Sequence, residues 1–230
     1  MRVFGQVTTA SASRVPVEAT GYTEQTSGAQ RSVKSGSAND TAAGTGVRTV
    51  RIVYYTLSSA GKISGPFAEV VTMNGTTAVP TVATNIALIE SITAFAVGSG
   101  GVAAGVIALY DDAAGAGSIF CSIAAGATRT LLAHHYVASG AQCQVSDLEV
   151  SGGDAAAATF EIVAKNYVTG VEQPIAGTIA CPNTGSRGVS VGMPVAGPAR
   201  VRAMVTPANT NSQVSSASFG AIDQVVVLGG

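Results

Sequence analysis

The stretch Ala158-Thr-Phe-Glu-Ile-Val-Ala-Lys165 decides the fold class of this chain. Its even-numbered positions are all apolar, whereas the polar residues Thr159, Glu161 and Lys165 stand at odd positions. Successive side chains of a strand point to opposite faces, so this period of two predicts a strand with one buried face and one polar face. The stretch Arg200-Val-Arg-Ala-Met-Val205 repeats the pattern and predicts a second such strand.

Other segments rich in β-branched and aromatic residues predict strands along most of the chain. They span residues 47–57, 67–73, 86–97, 106–110, 119–123, 128–137, 142–150 and 222–228. Between 142 and 150 the apolar positions switch from odd to even, which indicates a β-bulge. Many short strands joined by turns rich in Gly, Pro and Asn predict an all-β chain. We expect an antiparallel, jelly-roll-like β-sandwich, with an immunoglobulin-like or two-lobed sandwich as the alternative.

Residues 6–46 form a low-complexity stretch of Ser, Thr, Ala and Gly in which neither a helical nor a strand period is sustained. Such a segment buries too little apolar area to offset its chain entropy. We therefore expect an extended N-terminal arm over residues 1–46 and a β-sandwich domain over residues 47–230. A division of that domain into two lobes near residues 137–141 is an alternative to a single body. On this prediction, a chain that lacks residues 1–45 still folds.

The composition favours a protein that assembles with other molecules. Hydrophobic residues make up 47% of the chain and charged residues only 11%, against about a quarter in ordinary soluble domains. A surface so poor in charge is expected to be covered by neighbours. The net charge of −1 attracts no nucleic acid, and no apolar run is long enough for a membrane span, so neither is an expected partner. The N-terminus does not resemble a secretion signal, so we expect assembly in the cytoplasm with reduced thiols.

The cysteines do not follow a metal-binding pattern. Cys121, Cys143 and Cys181 are far apart and form no CxxC or CxxH pair, so we expect neither a structural zinc site nor another cofactor. Cys121 alternates with Ile119 and Ile123, which indicates a small buried side chain in a strand. Whether two of the cysteines form a disulfide stays open at this point.

Three other motifs have an ordinary structural explanation. His134 and His135 are neighbours on a predicted strand, so they point to opposite faces, and we expect them at solvent or at an interface. The glycine-rich segment Gly98–Gly105 is followed by a strand, whereas a dinucleotide site needs a helix there, which favours a hairpin. Asp111 and Asp112 stand in a turn, where carboxylates usually accept hydrogen bonds from nearby backbone amides and only occasionally bind calcium.

Two further classes of function fit the sequence less well. A glycosidase needs two carboxylates in one cleft. Asp147, Glu149 and Asp154 are close in sequence but are not accompanied by an aromatic-lined cleft, so we expect no enzyme. A glycan-binding module exposes aromatic rings at loop tips. Most aromatic residues here lie in predicted strands, with Tyr22 and Tyr167 as exceptions.

Five basic residues are candidates for contacts between subunits. They are Arg14, Arg31, Lys34, Arg200 and Arg202. The first 51 residues carry six basic and three acidic groups, so either a basic arm lies on an acidic neighbour or the excess arises by chance. Arg200 and Arg202 share one face of a predicted strand. They are either solvated or paired with carboxylates such as Asp147 or Glu149 of a neighbouring subunit.

The segment Ile179–Leu228, which includes Val214-Ser-Ser-Ala-Ser-Phe219, is β-patterned and carries no catalytic group. Together with Val71-Thr-Met-Asn-Gly-Thr-Thr-Ala-Val-Pro-Thr-Val-Ala-Thr84, it resembles a family of structural proteins of tailed-phage virions, with matching spacing over most of residues 46–228. The resemblance implies a component of the virion, assembled in the host cytoplasm, and does not separate head from tail.

Within that class we expect a capsid decoration (cement) protein that stabilises the head shell through oligomeric contacts and its N-terminal arm. Its expected partners are further copies of itself, as a homo-oligomer and specifically a trimer, and the major capsid protein or another virion protein. The alternative is a tail adaptor or a fibre-associated β module that recognises a host-surface glycan.

Overall fold

The computed structural model describes residues 1–9, 12–18, 22–152, 157–176, 178–182, 185–208 and 213–225. Over these residues the chain is built from β-strands joined by turns and loops. No helix that could cross a membrane is found among them. The predicted all-β class is confirmed.

The strands number seventeen in the described part of the chain. The first nine are β1 (Arg2–Thr9), β2 (Val15–Pro16), β3 (Ser32–Ser35), β4 (Val47–Leu57), β5 (Ile63–Thr72), β6 (Val79–Pro80), β7 (Leu88–Val97), β8 (Ile107–Tyr110) and β9 (Ile119–Ile123). The other eight are β10 (His134–Val137), β11 (Ala141–Gly152), β12 (Ala158–Asn166), β13 (Glu172–Pro174), β14 (Ile179–Cys181), β15 (Gly185–Ala196), β16 (Ala199–Pro207) and β17 (Gln213–Val225).

The predicted strands agree closely with these bounds in most places. β4 and β9 match the predicted ranges to the residue. β10 is shorter than predicted and begins only at residue 134. β17 begins at residue 213, well before the predicted 222, and residues 226–228 of that prediction lie outside the described residues.

Contacts between residues divide the chain into two compact units. Unit 1 contains Met1–Thr20, Ala60–Ile63 and Leu131–Gly230, and unit 2 contains Gly21–Ser59 and Ser64–Thr130. In chain order, unit 2 is therefore inserted into unit 1, between β2 and β10. These bounds differ from the predicted division at residue 46 and from the alternative division near 137–141.

Unit 1 has the connectivity of a jelly roll. One sheet has the strand order β1-β17-β11-β15, and the other has the order β10-β16-β12-β13, with β14 also paired to β12 and β2 to β16. The principal strands in chain order can be lettered B to I, with β13 and β14 together as F. The two sheets then have the orders B-I-D-G and C-H-E-F, which define an eight-stranded jelly roll. The predicted jelly-roll-like sandwich is confirmed for this unit.

The core of unit 1 lies between these two sheets and follows the predicted alternation. Phe160 and Ile162 of β12 are fully buried, as is Val201 of β16. In β11 the pairing with β15 shifts register between Val145 and Asp147, which confirms the predicted bulge. Because of this bulge, apolar residues on both sides of it face the core.

Unit 2 contains two smaller antiparallel sheets, with the orders β6-β3-β8-β9 and β5-β4-β7. The segment Gly98–Gly105 joins β7 in one sheet to β8 in the other. The predicted hairpin is therefore wrong, because β7 pairs with β4 whereas β8 pairs with β3 and β9. As expected, a strand and not a helix follows the glycines.

The loops of unit 2 are held together by one buried carboxylate, that of Asp40. Its Oδ1 accepts hydrogen bonds from the amides of Val47 (2.7 Å) and Ala104 (2.9 Å). Its Oδ2 accepts from the amide of Gly105 (2.9 Å) and from the hydroxyl of Ser35 (2.6 Å). Burial alone raises the pKa of this carboxyl, but the hydrogen bonds outweigh burial and hold the pKa below its ordinary value.

Residues 1–46 differ from the extended arm that the sequence predicts, because they contribute strands to both units. β1 pairs with β17 along all eight of its residues, and β3 is an interior strand of its sheet. Val17 and Val33 are fully buried. The prediction weighed apolar side chains alone. A few buried valines are sufficient to order such a segment when it also forms main-chain hydrogen bonds to a neighbouring strand.

Candidate functional site

Arg200 lies in a buried polar cluster on the face of β16 that is turned away from the core of unit 1. The strand alternation that directs Val201 into the core places Arg200 on this face. Its Nη2 donates a hydrogen bond to Oε1 of Glu18. Nδ1 of His134, on the paired strand β10, lies 2.8 Å from the same oxygen and 2.7 Å from Nη2 of Arg200. Three titratable side chains from three segments therefore meet in one enclosed place.

This cluster, which we name the Glu18 cluster (Glu18, His134 and Arg200), is a compensated set of charges. Burial raises the pKa of Glu18, but the neighbouring His134 and Arg200 outweigh burial and lower that pKa to about 2. Glu18 is therefore ionised at neutral pH and neutralises the guanidinium. The Cζ atom of Arg200 also lies 5.6 Å from the ring centroid of Tyr136. The cluster ties the segment before unit 2 to β10 and β16.

A second set of ion pairs lies on the same face of unit 1. Nη2 of Arg202 lies 2.6 Å from Oε2 of Glu172, and Nη1 of Arg14 lies 3.2 Å from the other oxygen of that carboxylate. Arg14 also donates to Glu161. These arginines thus have carboxylate partners within their own chain.

A pairing of Arg200 or Arg202 with Asp147 or Glu149 of a neighbouring subunit, the alternative to solvated side chains, stays a prediction, but both carboxylates have a partner in their own chain. Nη1 of Arg2 lies 3.0 Å from Oδ2 of Asp147, and Nη2 of Arg2 lies 2.5 Å from Oε2 of Glu149. Asp147 and Glu149 belong to the sheet that contains β11, whereas Arg200 and Arg202 belong to the other sheet. Because Arg200 is almost completely buried, it is not available to a neighbouring subunit.

The two basic candidates of unit 2 also have partners within the chain. Arg31 is almost completely buried and donates to the carbonyl oxygens of Ile86 (3.0 Å) and Asp111 (2.5 Å). Nζ of Lys34 donates to the carbonyl oxygen of Gly115 (2.8 Å). Burial therefore removes Arg31 from the interface candidates, whereas an interface role for the half-buried Lys34 stays a prediction.

His135 contacts different partners from His134, as its position on the strand predicts, but it is buried and does not face solvent. Its Nε2 lies 2.9 Å and 3.0 Å from the two carboxylate oxygens of Asp223. Cys143 lies directly opposite Asp223 in the antiparallel pair of β11 and β17. A ring nitrogen of His135, the Sγ of Cys143 and a carboxylate oxygen of Asp223 all lie within 4.8 Å of one another.

No motif in the sequence indicates this group, because its three members come from three strands. The strand order of the jelly roll makes β17 and β11 neighbours. A partial signal does exist in the alternation of each strand. Asp223 continues the inward positions of Phe219 and Ala221, and Cys143 precedes the inward Val145 by two positions. A charged residue at an inward position of a strand is costly to bury unless it is paired, so the position of Asp223 predicts a nearby partner.

The remaining carboxylate candidates have simple explanations or lie outside the described residues. The carboxylate of Asp112 accepts hydrogen bonds from the amides of Gly115 (2.7 Å) and Ala116 (3.2 Å), which is the predicted turn arrangement. Cys121, Cys143 and Cys181, all within the described residues, form no disulfide and are buried. Asp154 lies outside the described residues.

The two aromatic residues considered for glycan binding both have ring partners. The Tyr22 ring lies 6.1 Å from that of Phe120, and the Tyr167 ring lies 6.3 Å from that of Tyr136. A cavity of about 440 Å³ lies in unit 1 near the ends of β12, β13, β15 and β16. It is lined by Ala164, Asn166, Thr169, Val171, Gln173, Ile175, Pro194, Val195, Ala196 and Ala199. No aromatic or charged side chain is among these lining residues, so the cavity offers neither a stacking platform for sugars nor an acid–base pair.

Strand β15 presents an accessible edge in unit 1. It pairs with β11 on one side and stands last in the strand order of its sheet. Over twelve residues its single charged side chain is Arg187. Val189 and Met193 are 44% and 46% exposed. An edge strand offers unpaired N–H and C=O groups, and a long edge with apolar side chains and little charge is a template for pairing with another chain.

Comparisons with known proteins do not place the chain in a family. No family model and no curated protein matches it. Among solved structures, the chain is similar to murine APRIL at 7% identity and a TM-score of 0.27, over 74% of this chain and 95% of that one. It is also similar to a structure of infectious bursal disease virus, Gx strain, at 7% identity and a TM-score of 0.27, over 95% of this chain and 71% of that one. At these TM-scores the similarities do not bear on the function of the chain.

Proposed function

We propose that this chain is a structural component of a tailed-phage particle, namely a decoration protein that binds the head shell and forms homo-oligomers. The observation that carries the proposal is the accessible β15 edge on a jelly-roll unit. Jelly rolls are a common architecture of capsid domains, and of lectins and cupins. The edge supplies a means of assembly, and the low content of charge fits a surface that neighbours cover.

The addition of a strand at β15 explains why this edge combines unpaired main-chain groups with exposed apolar side chains. A strand laid along it satisfies the main-chain groups and covers part of Val189 and Met193. Pro194 has no N–H group, so the added strand is expected to pair with the residues that precede it. The single charge on β15, that of Arg187, stands near its start and leaves the middle of the strand free of repulsion between copies.

The symmetry of the assembly depends on which surface of the neighbouring copy β15 contacts. If β15 pairs with β15 of a second copy, the contact is self-complementary and closes as a two-fold dimer. A trimer requires β15 to meet a different surface of the next copy in a closed ring. We propose the trimer, with the major capsid protein as the second partner.

We also propose that the chain catalyses no reaction. The Glu18 cluster contains acidic and basic groups, but they are buried and bind one another. The cavity of about 440 Å³ in unit 1 is lined by uncharged side chains. Neither place combines a reactive group with access for a substrate.

A tail adaptor or fibre-associated module is the second candidate, and one feature of unit 2 favours it. Phe67 on β5 and Phe95 on β7 are 45% and 65% exposed on the sheet β5-β4-β7. Exposed aromatic side chains on a sheet are typical anchors for a partner surface. A tail partner that covers them explains this exposure without use of the β15 edge.

The oligomeric state of the purified chain tests the role of the edge. We expect light scattering to give a trimer for the natural chain and a monomer for the double variant Val189→Lys/Met193→Lys, because two lysines on the edge oppose strand pairing. Val82→Lys is the matched control, since Val82 is 87% exposed in unit 2 and distant in sequence from the edge. A double variant that oligomerises like the natural chain contradicts the proposed edge.

A further inference from the structure

We propose that His135, Cys143 and Asp223 bind one zinc ion in unit 1. The three side chains supply an imidazole nitrogen, a thiolate sulfur and a carboxylate oxygen, each a known zinc ligand. The inference is independent of the proposed role in a particle.

The positions of the donor atoms fit a common ion. Zinc binds nitrogen, oxygen and thiolate sulfur at about 2.0–2.3 Å, so ligand atoms around one ion are about 3–4 Å apart. The donor atoms of His135, Cys143 and Asp223 lie within 4.8 Å of one another, and His135 already lies 2.9 Å from the carboxylate. Small side-chain rotations therefore suffice to place all three around one ion.

The backbone holds two of the ligands in place before any ion binds. Cys143 and Asp223 are direct partners in the antiparallel pair of β11 and β17, and side chains of such partners lie on the same face of a sheet. His135 is on β10, which belongs to the opposite sheet of the jelly roll. The site therefore joins the two sheets across the interior of unit 1.

The donor set selects zinc over the common hard cations. Calcium and magnesium take about six or more oxygen ligands, and this group offers one carboxylate. A thiolate with an imidazole suits a borderline-soft ion such as zinc. The charges also match, because one thiolate and one carboxylate together neutralise a dication, so the filled site is neutral in a largely buried place.

Access to the site is from one side. Cys143 and His135 are almost completely buried, whereas the side chain of Asp223 is 41% exposed. An ion can enter along the carboxylate, and a water molecule can supply the fourth ligand of a tetrahedral zinc. Because the site is assembled from three strands of the folded unit, zinc binds the folded chain in preference to the unfolded chain and stabilises it.

Metal analysis and cobalt substitution of the full chain test the proposal. We expect the purified chain, loaded with zinc and then dialysed, to retain one zinc per chain and to show a higher melting temperature than the metal-free chain. Cobalt(II) in place of zinc is expected to give the intense visible bands of a tetrahedral ion and a near-ultraviolet band from thiolate-to-cobalt charge transfer.

Three variants make the test specific. Cys143→Ser removes the thiolate band, and Asp223→Asn, at a partly exposed position that leaves the core intact, weakens zinc binding by at least roughly tenfold. Cys181→Ser is the matched control, since Cys181 is a buried cysteine of the same unit that forms no disulfide and lies outside the group, and the variant should keep both metal content and spectrum. Loss of the thiolate band in Cys181→Ser, or unchanged zinc affinity in Asp223→Asn, overturns the proposal. A natural chain that retains no zinc and shows no cobalt bands overturns it as well.

Discussion

Glu18 and Arg200 form an almost completely buried ion pair, although 182 positions separate them in the sequence. The pair connects the segment that precedes unit 2 with strand β16 of the jelly roll. Two buried opposite charges tolerate burial only as a pair, because either charge without its partner retains the full desolvation cost. The folding of unit 1 therefore depends on a contact between its N-terminal segment, which contains Glu18, and strand β16, which contains Arg200.

Removal of one partner of this pair should destabilise the protein strongly. We expect Glu18→Ala to lower the free energy of unfolding by about 3–5 kcal/mol, because it leaves the Arg200 guanidinium buried and uncompensated. Urea denaturation followed by circular dichroism measures the change. The matched control is Arg2→Ala, which removes the exposed ion pairs with Asp147 and Glu149 and should cost at most about 1 kcal/mol. Equal losses in the free energy of unfolding of the two variants would contradict the larger contribution that we assign to the buried ion pair.

The carboxylate of Asp40 should make the stability of unit 2 depend on pH. Its folded-state pKa lies below the ordinary value of 3.8, so its contribution is complete above that value and is lost as the pH falls through the lower pKa of the folded chain. Asp40→Asn cannot accept hydrogen bonds at both side-chain atoms, and we expect a loss of about 1–3 kcal/mol at neutral pH.

Thermal melts of both chains between neutral pH and about pH 3 check this prediction, since that range spans the ordinary titration of an Asp carboxyl. The difference in melting temperature between the natural chain and Asp40→Asn should stay constant above pH 3.8, the ordinary pKa of the carboxyl, and shrink as the pH falls below that value. A constant difference across the whole range would show that the carboxylate is not held in its ionised form by Val47, Ala104 and their neighbours.

A single methyl group at Gly5 should test whether β1 belongs to the folded body. A Cβ atom there would lie 2.1 Å from the carbonyl oxygen of Val17 and 2.3 Å from the amide nitrogen of Ala133. We expect Gly5→Ala to cost about 1–3 kcal/mol in the free energy of unfolding, because backbone must move to admit it. Gly192→Ala, at a position with open space around it, is the control and should stay within about 0.5 kcal/mol.

Much of the fold could be predicted from local alternation. β12 and the bulge in β11 follow directly from which positions are apolar, since a strand has only two faces. The order in which the strands pair could not be predicted this way. Alternation indicates which side chains of a strand face the core, but it does not indicate which strand lies next to it. This is why alternation left Arg202 either solvated or paired with a carboxylate of a neighbouring subunit, whereas within the chain it pairs with Glu172 on β13, in the same sheet as β16.

The N-terminal region was the main structural difference from the prediction. Its side chains are small, so their apolar area gave a weak signal, but β1 gains its order from the main-chain ladder with β17. The same reasoning explains the missed grouping of His135, Cys143 and Asp223. Their spacing in the sequence follows no ligand motif, and only the order of strands in the jelly roll brings them together.

Electron microscopy of particles that lack this chain, incubated with the purified protein, tests the central claim most directly. A decoration protein is expected to bind in regular copies over the head shell, and the Val189→Lys/Met193→Lys variant to bind in clearly reduced number. Binding at the tail alone would contradict the decoration role and favour the adaptor alternative. Absence of binding to any part of the particle would contradict the account as a whole.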